Sequence, residues 1–319
     1  MKWDMLRYIV CPECKMNLRL QGDTLFCQNG HSYLVIKGVP CLLLDMDNSQ
    51  KATAEAFSRK WDEVPDYGYE GNTREFHHNW YLERYGWKDE VELAEVLLNA
   101  SCILDAGAGV GRDIAWYEEH TISTIIGVDI GSSVHIAYEK LDGWPNIHIA
   151  QADIMNLPFE DQQFDFIASD FVLHHTPNTR EALGRLVEIL RPGGMISFYV
   201  YAKKGDIREA CDDMLRAVTT QMSHEDCMKF SEALTQFGKA VSEIDLDFQR
   251  MIHWDILKCF WNPGFTMAYN ISINYDWYKP VYAWRHYPEE VTGWCADLGI
   301  KILHMDQQKS GISVRGVKE

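Results

Sequence analysis

Three cysteines and a histidine near the start of the chain have the spacing of a metal site. Residues 11–31 read CPECKMNLRLQGDTLFCQNGH, which puts Cys11 and Cys14 on one tight turn and Cys27 with His31 on a second. Two residues between Cys11 and Cys14 let a single turn aim both sulfurs at one ion, and Asn29-Gly30 supplies the bend between Cys27 and His31. Three thiolates and an imidazole suit tetrahedral zinc and leave no position for water, so the site reads as structural. The intervening LRLQGDTLF alternates about Gly22-Asp23 as the two strands of a hairpin would. Zinc here would hold together about forty residues that could hardly bury a core alone.

A second constellation starts at ILDAGAGVGRDIAW, residues 103–116. Glycines between a strand and a helix let a ligand approach the backbone, and either a dinucleotide or a charged sulfur compound uses such a loop. A dinucleotide loop needs G-x-G-x-x-G; here Gly107 and Gly109 fit, but the third position is Arg112 and the extra glycine is Gly111. Charge points the same way. Asp105 at the strand end would repel a pyrophosphate and attract a ligand carrying an ammonium group. Asp129 closes the next strand, where a carboxylate can accept hydrogen bonds from two ribose hydroxyls. Asp153 follows the third, within reach of an adenine edge while Ile154 packs on the ring.

These acids need a scaffold that brings strand ends together, and the chain supplies one. DEVELAEVLL is an amphipathic helix feeding a buried strand at 102–105. Strands and helices then alternate: CILDA, a helix from 111, TIIGVD, a helix from 132, NIHIA, FDFIASD, a helix over 178–190, and MISFYVY. That order predicts a parallel α/β sheet whose carboxyl edge binds the ligand. Residues 205 to 260 read as helices without a strand partner, an insertion after the fifth strand. A helix over 288–298 and two strands, IKILHMD and GISVRGVK, follow, antiparallel because their turn is short. The polar and aromatic stretch from Gln50 to Tyr85 reads as covering helices broken at Pro65 and Gly68.

Taken together, LDAGAGVGR, GVDI, ADIMNLPF, FDFIASDFVLHH and LRPGGMISF resemble the motifs of class I S-adenosylmethionine-dependent methyltransferases, of the type 11 group, over residues 100–201 and again in the last thirty. The resemblance implies a Rossmann-like α/β fold with a mostly parallel seven-stranded sheet whose last strand is antiparallel. The expected layout is a zinc ribbon (1–48), a helical cover for cofactor and substrate (49–90), a cofactor-binding core (91–204), a helical and aromatic substrate-binding insertion (205–285), and a final helix with two core strands (286–319). The resemblance assigns S-adenosylmethionine to the strand edge. Asp105, Ala106 and the loop Gly107, Ala108, Gly109 and Gly111 would face its methionine part, Asp129 and Ile130 the ribose, Asp153 and Ile154 the adenine. Ser169 and Asp170 would form the floor near the sulfonium. Arg112 would either reach the methionine carboxylate or lie on the helix surface.

Methyl transfer is an in-line displacement that discharges a sulfonium, so alignment and desolvation supply much of the acceleration. A base is needed only where the acceptor must lose a proton. His174 and His175 lie just past the fourth strand, with packing or hydrogen bonding favoured over proton transfer. Asp276 and His286, in NYDWYKPVYAWRHYPEEV, are the other candidates. Tyr278, Tyr282 and Trp284 are the expected substrate wall for a flat or apolar molecule, although aromatics such as Trp277 and Trp284 could also simply pack.

The ribbon also resembles the one preceding the catalytic domain of bacterial ribosomal RNA guanine-N1 methyltransferases, which raises an RNA base methyltransferase (ribosomal or transfer RNA) as the rival. Charge argues against it. The chain of 319 residues carries a net charge of −17, and residues 1–40 hold only Lys2, Arg7, Lys15, Arg19 and Lys37. The last thirty residues instead resemble methyltransferases of specialised metabolism. The expected acceptor is therefore a small molecule, a specialised metabolite or its precursor, methylated at O, N or C, with nucleic acid disfavoured. A third reading, a binding or activator protein that keeps the fold without catalysis, sits poorly with the intact loop and three strand-end acids. Nine cysteines, no signal core at the start and no apolar run of about twenty residues predict a reduced, cytoplasmic protein without a membrane span. A homodimer is compatible with the sequence.

Overall fold

The computed structural model describes residues 1–319. The ribbon contributes β1 (Leu18–Gln21), β2 (Thr24–Cys27), β3 (Ser32–Ile36) and β4 (Val39–Leu42). Then come α1 (Asn48–Glu63), α2 (Gly71–Arg84) and α3 (Glu90–Asn99), followed by the alternating core: β5 (Cys102–Ala106), α4 (Arg112–Glu118), β6 (Thr124–Asp129), α5 (Val134–Leu141), β7 (Ile147–Ala152), β8 (Phe164–Ser169), α6 (Thr179–Ile189) and β9 (Leu190–Ala202). The insertion is α7 (Asp206–Thr219), α8 (His224–Ile244), α9 (Leu246–Asp255) and α10 (Met267–Tyr278). The short β10 (Arg285–His286), α11 (Pro288–Asp297), β11 (Ile300–Gln307) and β12 (Gly311–Lys318) end the chain. No helix is long and apolar enough to cross a membrane.

The main sheet runs β4-β7-β6-β5-β8-β9-β12-β11, with β12 antiparallel to both neighbours. The chain order reverses at β5, between β6 and β8, which opens a crevice at their carboxyl ends. Successive residues of each strand serve opposite faces. Leu104, Ile126 and Ile196 pack with α6, α11 and the ribbon, while Ile103, Ile125 and Phe166 pack with α3, α4 and α5.

Two elements differ from the sequence reading. The ribbon is welded to the sheet: β4 pairs parallel with β7 (Cys41 to Gln151, Leu42 to Ala152), adding an eighth strand, and Met5, Ile9, Leu25 and Tyr33 share the apolar cluster of one sheet face. In addition, α10 lies beyond residue 260, where the helices of the insertion were expected to end. Its buried side holds Asn270, Ser272 and Asn274, so no apolar stripe marks it. Those amides are satisfied locally: the Asn274 Nδ2 donates to Thr235 Oγ1 at 2.8 Å and to the Phe260 carbonyl at 3.0 Å. The first insertion helix, α7, is inverted, burying Arg208, Asp212 and Arg216 while Ile207, Met214 and Val218 face outward.

Candidate functional site

One cavity of about 410 Å³ lies over the crevice, within the range of small-molecule sites. Its inner half is built by the strand ends. Gly107, Ala108, Gly109, Arg112, Asp129, Ile130, Asp153, Ile154 and Asp170 all line it. Gly107 has φ +100°, and a β-carbon there would collide with Val172, so the loop can pass only as glycine. Asp129 anchors this loop: its Oδ2 accepts from the Gly109 amide at 2.9 Å and its Oδ1 from Gly131 at 2.7 Å. Burial raises the Asp129 carboxyl, and the amides of Gly131, Gly109 and Ile130 pull it back. Asp153 accepts from the Met155 amide (2.9 Å) and from Gln50 Nε2 (2.8 Å), which ties the covering helix α1 to the end of β7.

Arg112 lines the cavity rather than the outer surface of α4, and it holds Asp113 through Nε (2.8 Å) and Nη2 (3.0 Å). Four of the expected cofactor residues do not reach the cavity wall. Asp105 stops one residue short of the end of β5 and is buried beneath the loop, where burial and then Asp113 push its carboxyl well above the ordinary range. Ala106 is in the core, and Ser169 donates from Oγ to the Ala106 carbonyl at 2.9 Å, joining β8 to β5. Gly111, at φ +84°, caps the start of α4 against Leu141 and Tyr69.

The covering helices complete the chamber, and most of their contributions escaped the sequence reading. One face of α1 presents Gln50, Thr53, Ala54, Phe57, Lys60 and Trp61 to the cavity. The buried Lys60 donates to Asp276 Oδ2 at 2.6 Å, 216 residues away. Asp170 is held from α2 by an ion pair with Arg84 and by the Tyr85 hydroxyl at 2.8 Å. The Arg84 guanidinium lies 4.4 Å from the Trp80 ring and 4.7 Å from that of Phe171. Pairings this far apart in sequence have no local signature; only an aromatic residue close to a basic one, Lys60-Trp61 in α1 and Trp80 with Arg84 in α2, hints at them.

Of the catalytic candidates, His175 and Asp276 line the cavity. His175 donates from Nδ1 to the Tyr282 carbonyl at 2.6 Å, and burial holds its pKa down to about 3, so the ring is neutral. Burial raises the Asp276 carboxyl and Lys60 opposes the shift. His174 and His286 lie elsewhere. His174 is fully buried with its ring 3.8 Å from that of Tyr201. His286 bonds Thr179 Oγ1 at 2.9 Å and packs on Trp294. The expected aromatic wall also lies elsewhere, because the helical turn of α10 aims Ile273, Asp276 and Trp277 at the cavity and rotates Tyr278 away. The Tyr278 hydroxyl donates to the Lys258 carbonyl (3.1 Å), that of Tyr282 to Asp47 (3.3 Å), and Trp284 Nε1 to the Thr176 carbonyl (3.0 Å).

Away from the cavity, the ligand atoms of Cys11, Cys14, Cys27 and His31 all lie within 4.8 Å of one another. A tetrahedral ion with Zn–S of about 2.3 Å needs S···S edges of about 3.8 Å and S···N edges of about 3.6 Å. The Cys14–Cys27 sulfurs are 3.8 Å apart, and His31 Nδ1 is 3.3 Å from Cys11 and 3.4 Å from Cys27. His31 Nε2 meets Glu13 at 3.2 Å and the Tyr33 hydroxyl donates to Cys11, the kind of outer contacts that orient ligands. The donor set therefore fits zinc. Elemental analysis of reduced protein should find one zinc per chain, and complete chelation should lower the thermal midpoint by several degrees. Metal-free protein with an unchanged midpoint would refute the assignment.

Residues 104–198 match the methyltransferase domain family. A demethylmenaquinone methyltransferase of Staphylococcus haemolyticus (strain JCSC1435) is 38% identical over 73 residues, 23% of this chain and 30% of its own length. Methyltransferase GfsG of Streptomyces halstedii is 26% identical over 149 residues, 46% of this chain and 52% of its own. The chain thus spans 30% and 52% of the length of these curated relatives. The crystal structure of magnesium protoporphyrin IX methyltransferase (ChlM) from Synechocystis PCC 6803 with bound SAH matches at a TM-score of 0.50 and 13% identity, over 85% of this chain and 100% of that one. At that identity the likeness concerns the fold. The family match ends inside β9, so the insertion that completes the chamber lies outside it. Residues 104–198 thus match the methyltransferase domain family, within a Rossmann-like α/β fold that the magnesium protoporphyrin IX methyltransferase shares.

Proposed function

We propose that the protein is an S-adenosylmethionine-dependent methyltransferase acting on a small molecule, a specialised metabolite or its biosynthetic precursor, at O, N or C. The observation that carries this reading is that one cavity joins the acid-lined strand ends to a chamber walled by the insertion and covered by α1 and α2. Bound S-adenosylmethionine would supply an electrophilic methyl group on a sulfonium. Asp129 would accept from the ribose hydroxyls with the lone pairs left by Gly109 and Gly131. Asp153 and Ile154 would border the adenine, and Arg112 would meet the methionine carboxylate. Asp170, fixed by Arg84 and Tyr85, would put negative charge near the sulfonium. Phe57, Trp61 and Phe171 would exclude water from the path of transfer. Burial keeps His175 neutral and only weakly basic, so the rate would come chiefly from alignment and desolvation.

The zinc cluster would be structural. Nine unpaired cysteines support a reducing compartment such as the cytoplasm. The roofed chamber and the acidic chain favour a small acceptor over an RNA hairpin. Calorimetry with S-adenosylhomocysteine should give single-site binding in the micromolar range. No heat and no thermal shift at millimolar ligand would overturn the proposal.

A further inference from the structure

At the insertion end of the cavity, three cations from three segments converge on one indole. Lys204 follows β9, Arg208 begins α7 and Lys258 follows α9. Their charged groups lie 5.6, 5.2 and 4.9 Å from the ring of Trp277, and all four residues line the cavity. Only Arg208 has a carboxylate partner: its Nε donates to both oxygens of Asp212 at 2.9 Å, with both side chains buried. Lys204 donates to the carbonyls of Ala202 (2.7 Å) and Ser310 (3.1 Å). The ammonium of Lys258 has only the Trp277 ring. The carboxylates that the two lysines sense, Asp212, Asp276 and Glu209, are engaged by Arg208, Lys60 and Arg285.

The same corner holds an unused donor, since Trp277 is 3% exposed and its Nε1 has no partner. Asp212 offsets Arg208, but the Trp277 ring cannot by itself offset the two buried lysine ammoniums beside it. Burial first, and Arg208 next, bring Lys204 down to about 7 and Lys258 to about 8, a strain that an anion between them would relieve. The walls beside the corner, Trp254, Phe260 and Phe265, are aromatic.

We propose that Lys204, Arg208, Lys258 and the Trp277 N–H form an oxyanion-binding subsite, and that the methyl acceptor is an aromatic or apolar molecule carrying a carboxylate or phosphate group. Calling this ligand the acceptor rests on the methyltransferase reading; the subsite does not. The subsite gives the acceptor a fixed end, which orients the rest of the molecule towards Asp170.

The test uses three probes of matched shape on the full chain: 2-naphthoate, 2-naphthyl phosphate and neutral 2-naphthylmethanol, titrated by calorimetry at constant ionic strength. At least one anion should bind tenfold or more tightly than the alcohol, and which one does so separates carboxylate from phosphate recognition. Lys258→Met should remove at least fivefold of that preference, and it breaks no hydrogen bond that the fold uses. Lys204→Met should remove a similar share. Anions that bind no better than the alcohol, or do not bind, or a preference that survives both substitutions, would overturn the subsite. S-adenosylhomocysteine titrated into the same samples keeps the two proposals apart. Its binding without anion preference would sink the subsite alone, and anion preference without its binding would sink the methyltransferase reading alone.

Discussion

Replacing Arg84 by methionine should destabilise the protein by about 3–5 kcal/mol, the cost of leaving one partner of a buried ion pair uncompensated. Both partners are almost fully shielded, with side-chain exposures of 2% for Arg84 and 3% for Asp170. Methionine keeps the aromatic packing around Trp80 and Phe171 but leaves Asp170 with only the Tyr85 hydroxyl. Burial already holds the Asp170 carboxyl above its ordinary value even beside Arg84, so in the variant the shift should grow. A carboxyl whose folded pKa lies above its unfolded value favours the folded state at low pH and loses that advantage as pH rises. The gap between variant and parent should therefore narrow as pH falls from 8 towards the ordinary aspartate range. Urea unfolding at several pH values checks both the size and the sign. A gap below about 1 kcal/mol at neutral pH, or one that widens in acid, would mean that the pair does not hold α2 over the sheet.

Asp129→Ala should weaken S-adenosylhomocysteine binding at least a hundredfold, about 2.7 kcal/mol. The amides of Gly109 and Gly131, and the ribose hydroxyls proposed to bind there, would lose their carboxylate acceptor. Hydrogen bonds to a charged group contribute about 1.5–3 kcal/mol each. Asp129→Asn should lie between parent and alanine variant, because its oxygen can serve only one amide while its NH₂ faces the other. Calorimetry beside a thermal melt separates loss of binding from loss of fold, and a change below threefold with normal stability would exclude a ribose role.

The acids that line the cavity were legible because strand ends are local features. Asp129 ends β6, Asp153 follows β7 and Asp170 follows β8, so each stands at the carboxyl rim. Asp105 carried the same signal but stops one residue short, and a single residue is enough to bury it. The gathering of Cys11, Cys14, Cys27 and His31 was equally legible, since two short turns set it. What the pattern concealed were partners brought together only by the tertiary fold, such as Lys60 with Asp276 and Arg84 with Asp170. Helices that bury polar side chains were hidden too. α10 hides two amides and a hydroxyl inside, so hydropathy marked no face of it, and α7 turns charged residues inward, so hydropathy pointed to its wrong face. Residues 278, 282 and 284 were expected as a substrate wall from their aromatic character alone, and the structure places all three outside the cavity lining.

The seam between β4 and β7 places Leu42 opposite Ala152, one residue before Asp153. The Cys/His cluster is tied to the same border from its other side, since the Val10 amide donates to the Pro158 carbonyl at 2.8 Å and Lys15 Nζ to that of Leu157 at 2.6 Å, just beyond where adenine is proposed to lie. If the cluster holds the proposed zinc and removing it frays that border, linkage requires the coupling to run both ways: whatever the loss of metal subtracts from nucleoside affinity, a bound nucleoside adds back to metal retention. A cell poor in zinc would then lose this protein's ligand-free form first.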